Sequence, residues 1–297
     1  MQFSVTVPAT TANLGPGFDC LGLSLALYNT LEVRPREEGF IVTIEGEGQG
    51  VIAVDHTNMM VEAMKRLSAT VGRPLPSVHL HQINHIPVSS GFGSSAAAVL
   101  AGCLAANRLL QAPLSPEELL SLAVVMEGHP DNMVPAYYGG LVLAGSNGDR
   151  LLVEQLPVAD LRVLVVLPNF ALSTVEARAV LPRQVPLADA IFNLGRVGLL
   201  IRALAEGDFD RLGAAMRDRL HQPYRVPLIP GMQEAFDAAR SAGAAGVALS
   251  GAGPGVIAFA ERDHETIAAA MSEAFAAAGL DSRYWTLEID RRGSRLA

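Results

Sequence analysis

The run Pro87-Val-Ser-Ser-Gly-Phe-Gly-Ser-Ser-Ala-Ala97 places two glycines and four serines just ahead of a long stretch of small and apolar residues. Gly91 and Gly93 let the backbone approach a ligand closely and take dihedrals that a side chain disfavours, while Ser94 and Ser95 add hydroxyl donors. From Ala96 the chain continues Ala-Ala-Ala-Val-Leu-Ala-Gly-Cys-Leu-Ala-Ala-Asn-Arg-Leu-Leu, which predicts a helix. A loop of this kind delivers an anion to a helix N-terminus, where unpaired N–H groups and the positive end of the dipole favour negative charge. The competing reading is a tight helix-packing turn without a ligand.

Two familiar phosphate loops are excluded. A Walker A loop requires Gly-Lys-Ser/Thr, and the only lysine in the chain is Lys65. The protein-kinase scheme fails on the same residue, and no His-Arg-Asp or Asp-Phe-Gly occurs. Gly91, Gly93 and Ala96 fit the dinucleotide pattern G-x-G-x-x-A, but Pro87-Val-Ser-Ser interrupts the strand that this pattern needs, and Glu117 and Glu118 come too late for its acid.

The length of 297 residues predicts two domains, 1–155 and 156–297, because the organisation restarts near residue 155. Net charge is −8, which argues against a nucleic-acid partner. An acidic chain that binds phosphate must do so locally, through backbone N–H groups, arginines and a metal ion. Cys20 and Cys103 form no C-x-x-C pair and read as small core residues in a reducing compartment. No basic residue precedes Arg34 and no apolar run is long enough to span a bilayer, so a cytoplasmic protein is expected.

Phe3, Val5 and Val7 alternate with polar residues and predict a strand ending at Pro8. The glycine-rich loop from Ala9 to Asp19 follows, with Asn13 and Asp19 suited to gripping a small polar ligand or to satisfying their own turn. Leu21 to Val33 and Phe40 to Glu45 read as a hairpin. Helices are expected over Asn58 to Thr70 and from Ser115, a capping box, to about Met126. The second polar cluster is Glu127-Gly-His-Pro-Asp-Asn132: either a cation and hydroxyl site, or a helix stop followed by a strand from Tyr138. In the second half, Leu161 to Leu167 is a buried-strand run, and Thr174 and Arg178 share a helical face. Helices are expected at 188–204, 209–220, 232–241 and 264–278. Gly246 to Ala260 reads as two strands joined by a glycine-rich turn, and Tyr284 to Ile289 as a last strand.

Three clusters in this order, Pro8 to Asp19, Pro87 to Ala97 and Leu249-Ser-Gly-Ala-Gly-Pro-Gly255, resemble the motifs of the GHMP kinases, over almost the whole chain. Asn-Leu-Gly-Pro-Gly-Phe-Asp, Glu-Gly-His-Pro-Asp-Asn, Ser-Thr-Val-Glu-Ala-Arg and Gln-Pro-Tyr-Arg are most similar to the homoserine-phosphorylating branch. Two departures are Phe92, where the family usually has Leu, and Ser89-Ser90, where a basic residue is common. The resemblance implies an α+β GHMP kinase fold: an N-terminal domain like ribosomal protein S5 domain 2, then a ferredoxin-like C-terminal domain. It implies ATP on Pro87, Val88, Ser89, Ser90, Gly91, Phe92, Gly93, Ser94, Ser95, Ala96 and Ala97, with Asn58 near adenine and Mg²⁺ between Ser95 and Glu127. It also implies L-homoserine held by Asn13, Asp19, His129, Asn132, Thr174, Arg178, Arg225 and Gly253, with Asn132, Asp131, Glu127 and Arg178 in catalytic roles, and a homodimer. A kinase of another small alcohol, or a non-catalytic nucleotide-binding relative, stays open at this stage.

Overall fold

The computed structural model describes residues 2–148 and 150–297. Its longest strand organises the first half. β1 (Phe3–Asn13) runs antiparallel to β2 (Gly17–Pro35), and the two halves of β2 then serve different neighbours. Residues 29–35 pair with β4 (Val78–Asn84), while Leu21 to Leu23 pair with β5 (Leu141–Asn147). β6 (Arg150–Leu156) extends β5, and β3 (Phe40–Gly46) closes the far edge on β4. Against the expectation of a hairpin, β3 does not pair with β2: it lies parallel to β4, connected through α1 (Met59–Val71). The alternation of Val78, Leu80 and Gln82 with His79 and His81 fits this central position, since only one face of β4 is buried.

β1 does not stop at Pro8. Register shifts at Pro8/Ala9 and Ala12/Asn13 let the strand bend around a residue without an N–H and carry on to the site. On the core side of this sheet lie α1, α2 (Ser94–Leu109), α3 (Pro116–Glu127) and α4 (Pro130–Tyr138). α2 is buried on nearly every side, which its Ala-rich composition permits; at Gly102 it comes so close to α1 that a methyl group would overlap the Met60 carbonyl. α4 is a helix that the polar cluster hid. Pro130 opens it at the first turn, Tyr138 belongs to its end rather than to a strand, and β5 starts only at Leu141.

The second half is built on β7 (Arg162–Pro168), β8 (Gly246–Leu249), β9 (Val256–Phe259) and β10 (Ser282–Glu288), ordered β10-β7-β9-β8 and antiparallel throughout. That is the 4-1-3-2 order of a ferredoxin-like unit. Between β7 and β8 come α5 (Thr174–Ala179), α6 (Leu187–Glu206), α7 (Phe209–Ala215), α8 (Gln222–Arg225) and α9 (Met232–Ser241); α10 (His264–Ala277) joins β9 to β10. The helix expected to run to Leu220 stops at Ala215, and the loop expected at 221–225 is the short α8. The last strand, β11 (Arg295–Leu296), returns to pair with β1.

Alternate residues of β7 separate two apolar clusters. Leu164 and Val166 pack with α9 and α10, whereas Val163, Val165 and Leu167 join one cluster that also contains Val5, Leu67 and Leu104 of the first half. The period-2 pattern of a strand covered on both faces thus fuses the second sheet to the first. Among the described residues, no helix is long and apolar enough to cross a membrane.

Candidate active site

A pocket of ≈340 Å³ opens where the end of β1, the loop before α2, the junction of α3 and α4, and the start of α5 converge. Its two ends are made differently.

At one end the wall is backbone. Gly91 (φ +82°) and Gly93 (φ +72°) are left-handed, and Gly93 caps α2 without any side-chain hydrogen bond, so the first N–H groups of a 16-residue helix face the pocket. The loop is supported from behind by the turn between β8 and β9. Ser250 Oγ donates to the Gly91 carbonyl (2.7 Å), the Gly255 N–H donates to the Ser90 carbonyl (3.0 Å), and the Gly251 N–H donates to the Ala12 carbonyl (3.1 Å). Contacts this close explain the glycines in both motifs: a methyl on Gly91 would overlap the Ser250 carbonyl, and one on Gly255 the Ser90 carbonyl.

Pro87, Phe92 and Ala96 of the predicted loop are not in the pocket wall, and Phe92 is packed in the core. Val88, Ser89, Ser90, Gly91, Gly93, Ser94, Ser95 and Ala97 do line it. Asn58 also lines it but is 2% exposed, and its amide is engaged within the protein. Oδ1 caps α1 at Met60 N and accepts from Gln82 Nε2 (3.2 Å), while Nδ2 donates to the Ala53 carbonyl (2.7 Å). Gly253 faces the side chains of Ile229, Leu249 and Leu172 instead of the cavity; the pocket takes Gly251 and Ala252 from that turn.

Ser95 and Glu127 meet at the middle. The Ser95 hydroxyl donates to Glu127 Oε2 (2.8 Å), joining the first turn of α2 to the last residue of α3. Burial pushes the Glu127 carboxyl above its ordinary range, against the Ser95 hydrogen bond and nearby His129, which pull it down. No group of three or more His, Cys, Asp or Glu able to hold a metal occurs among the described residues.

At the other end the wall is charged. Asp131, 3% exposed in the first turn of α4, has Oδ1 3.1 Å from His129 Nδ1. The spacing is that of an ion pair, but the two atoms are poorly aligned and neither makes a hydrogen bond. The Asp131 carboxylate raises the His129 pKa, with burial opposing. Pro135 lacks the N–H that would bond the Asp131 carbonyl, and Gly22 of β2 packs against that carbonyl where a methyl would overlap it. Thr10, unremarked in the sequence, donates to Asn132 Oδ1 (2.9 Å) and so leaves the Asn132 amide N–H groups for the pocket.

Asp19 (φ +57°) forms a two-pronged ion pair with Arg178 (2.8 and 3.0 Å), and Asn13 holds its backbone: Asn13 Oδ1 accepts from the Asp19 N–H while Nδ2 donates to the Gly251 carbonyl. The Asp19 contact raises the Arg178 pKa. Arg225, 1% exposed, donates through Nε to the Ala177 carbonyl (3.1 Å) and through Nη1 to the Gly251 carbonyl (3.3 Å); burial and nearby Arg178 lower its pKa to about 10. Phe18 places its ring 5.7 Å from the Arg178 guanidinium and 5.1 Å from that of Arg225. Thr174, exposed at the start of α5, completes this wall. Asn13, Asp19, Ser89 and Leu14 are four of the seven non-glycine residues with positive φ among the described residues, so the backbone strain gathers at this site.

Comparison with known proteins places this combination of fold and phosphate-type loop. The family model of the GHMP kinases N terminal domain matches residues 58–140 and that of the GHMP kinases C terminal domain residues 200–277, so the fold is that of a GHMP kinase. A homoserine kinase of Moorella thermoacetica is 48% identical over 277 residues, 93% of each chain, and one of Carboxydothermus hydrogenoformans is 40% identical, covering 98% of this chain and 95% of its own. The crystal structure of homoserine kinase from Cytophaga hutchinsonii superposes with a TM-score of 0.88 at 31% identity, over 100% of this chain and 97% of that one. This chain belongs to the homoserine kinase family. An L. major mevalonate kinase, TM-score 0.74 at 21% identity over 96% and 95% of the two chains, shares the fold.

Proposed function

We propose that the protein transfers the γ-phosphoryl group of ATP to the side-chain hydroxyl of L-homoserine, giving O-phospho-L-homoserine. The observation that carries the substrate is the opposed charge at one end of the pocket: Asp19 beside Arg178 and Arg225, within reach of a zwitterion. In this reading Asp19 turns from Arg178 to the substrate ammonium, which releases the Arg178 guanidinium to join Arg225 on the carboxylate. A single acceptor that is both cation and anion thus replaces an ion pair that is already in place.

Glycines 91 and 93 and the N-terminus of α2 cradle the triphosphate. Asn58 shapes the nucleotide side by holding the start of α1, its own hydrogen bonds being engaged. Ser95 and Glu127 suit Mg²⁺: both offer hard oxygen, their spacing is short, and a cation offsets the cost of burying the Glu127 charge. Ser95 and Glu127 would supply two protein oxygens to the ion, and a cation held there would offset charge on phosphate oxygens. Asn132, aimed by Thr10, and Asp131 orient the acceptor hydroxyl toward the phosphoryl group. Transfer of this kind draws most of its rate from alignment and charge, so Asp131 acts mainly in orientation.

A coupled assay of ADP release with Mg²⁺-ATP against homoserine, serine, threonine, mevalonate and shikimate tests the reading. Marked preference for homoserine is expected. Preference for mevalonate or shikimate, which lack an ammonium group, would remove the role given to Asp19.

A further inference from the structure

His221 immediately precedes α8 with a fully buried side chain, and it lies outside the pocket wall. Each ring nitrogen faces a group of fixed hydrogen-bonding character. Nε2 is 2.8 Å from the Gly15 carbonyl and 3.5 Å from Asp218 Oδ2; both only accept, so Nε2 carries a hydrogen. Nδ1 is 3.2 Å from Arg225 Nη1, which only donates, so Nδ1 must keep its lone pair. The ring is therefore a neutral imidazole in a single tautomer, stacked 5.1 Å from Phe18 at 22°.

Its backbone is fixed as firmly. Asp218 accepts from the N–H groups of Leu220, His221 and Gln222, and its Oδ1 also accepts from Asn193 Nδ2 (2.7 Å), which donates in addition to the Pro16 carbonyl (3.1 Å). α6 and α8 thus grip the two carbonyls just before Phe18 and Asp19. A continuous path runs from Gly15 through His221 to Arg225 and on to Gly251, from one substrate-facing segment to another.

We infer that His221 is a positioning residue for the amino-acid substrate: Nδ1 orients the Arg225 guanidinium toward the pocket, and Nε2 ties that orientation to the loop carrying Asp19. This deepens the function proposed above and rests on it. The arrangement holds only while the ring is neutral. Protonation at Nδ1 would oppose an N–H to the guanidinium N–H and set two positive charges 3.2 Å apart. Burial lowers the His221 pKa, and Arg225 lowers it further; Asp218, the Gly15 carbonyl and Asp19 pull it up. The ionisable groups facing the ring are Asp218 from the turn before α8, Arg225 from α8 and Asp19 from β2, while α6 presents the neutral Asn193. Binding of homoserine therefore weakens in acid, and ATP binding does not follow it.

The test is a set of saturation curves for homoserine and for Mg²⁺-ATP from pH 5 to pH 8.5, in the wild type, His221→Phe and His221→Asn. Phe keeps the stacking on Phe18 but offers no acceptor; Asn places an oxygen near the position of Nδ1 and does not titrate. His221→Phe is expected to raise the homoserine KM about tenfold, the scale of a lost hydrogen bond to a charged group, with kcat and the ATP KM within about twofold. His221→Asn is expected to recover to within about threefold of wild type and to lack the rise in homoserine KM that the wild type shows toward the acid end of the range, below the ordinary histidine value. Glu127 and His129 titrate in all three proteins, so the difference isolates His221. Equal increases in both KM values, an unchanged KM in His221→Phe, or an acid rise as steep in His221→Asn as in wild type would each overturn the inference. If His221→Phe does not fold, the acid profile of His221→Asn decides. A wild-type enzyme inactive on homoserine refutes the proposed function instead.

Discussion

In the function proposed here, the two ends of the pocket recognise their ligands by different means. The nucleotide end is shape: left-handed glycines, a helix N-terminus and a supporting turn, with Glu127 the charged side chain that reaches it. The acceptor end is charge: Asp19, Arg178, Arg225, His129 and Asp131 come from β2, α5, α8 and the α3–α4 junction, and two of them are almost fully buried. Recognition by backbone tolerates changes of side chain, such as the Phe92 ring turned into the core, but not an added methyl where chains meet. Recognition by buried charge has the opposite sensitivity, because a change that preserves shape and removes charge leaves a partner uncompensated.

Substitutions that respect one logic and violate the other sharpen this contrast. The largest effect is expected at the boundary. Glu127→Ala should lower kcat by about 100-fold or more through loss of cation-assisted charge stabilisation, with Asp131→Asn nearer tenfold. Single-turnover rates with saturating ATP measure both, and the reverse order would count against alignment as the main contribution of Asp131. Next is Gly91→Ala, which keeps every charge yet forces a methyl onto the Ser250 carbonyl at φ +82°. It should cost about 2 kcal/mol of stability and raise the ATP KM while sparing the homoserine KM. Asp19→Asn keeps shape and removes charge: the homoserine KM should rise about tenfold with the ATP KM unmoved, and an unchanged homoserine KM would show the end to be read by shape after all.

The smallest effect is a pH dependence. Since Asp131 raises the His129 pKa in the folded protein, the pair contributes most below the unfolded histidine value of about 6.5 and fades as pH climbs through the folded value. The loss of stability in His129→Gln should therefore be less than about 1 kcal/mol at pH 6 and smaller still at pH 8.5, measured by thermal melts.

The two ends were also unequally legible. The loop from Pro87 to Ala97 is contiguous, so its glycines and its helix stand side by side in the sequence. Asp19, Arg178 and Arg225 carry no local pattern that joins them, and only the motif resemblance brought them together. Contacts between distant residues stayed hidden for the same reason. Thr10 acts on Asn132 across 122 positions, and His221 meets Gly15 across 206. Strand partners were misjudged where adjacency in sequence was taken for adjacency in space: β3 follows β2 but lies beside β4. α4 escaped because Gly128, His129 and Pro130 look like a stop, while two of the same residues also start a new helix. Asn13 and Asn58 line the pocket, yet their amides already serve the protein, a commitment that no local pattern reveals.

Alternate residues of β7 pack into the apolar cluster of the first half. The cleft therefore cannot work as two shells on a hinge, because swinging the halves apart would expose Val163, Val165 and Leu167 to water. Ligands must enter and leave through the mouth of the pocket, past short loops. A gene cut between β6 and β7 would likewise divide the shared cluster and leave Val163, Val165 and Leu167 uncovered on the second piece, with solubility expected only when both are made together.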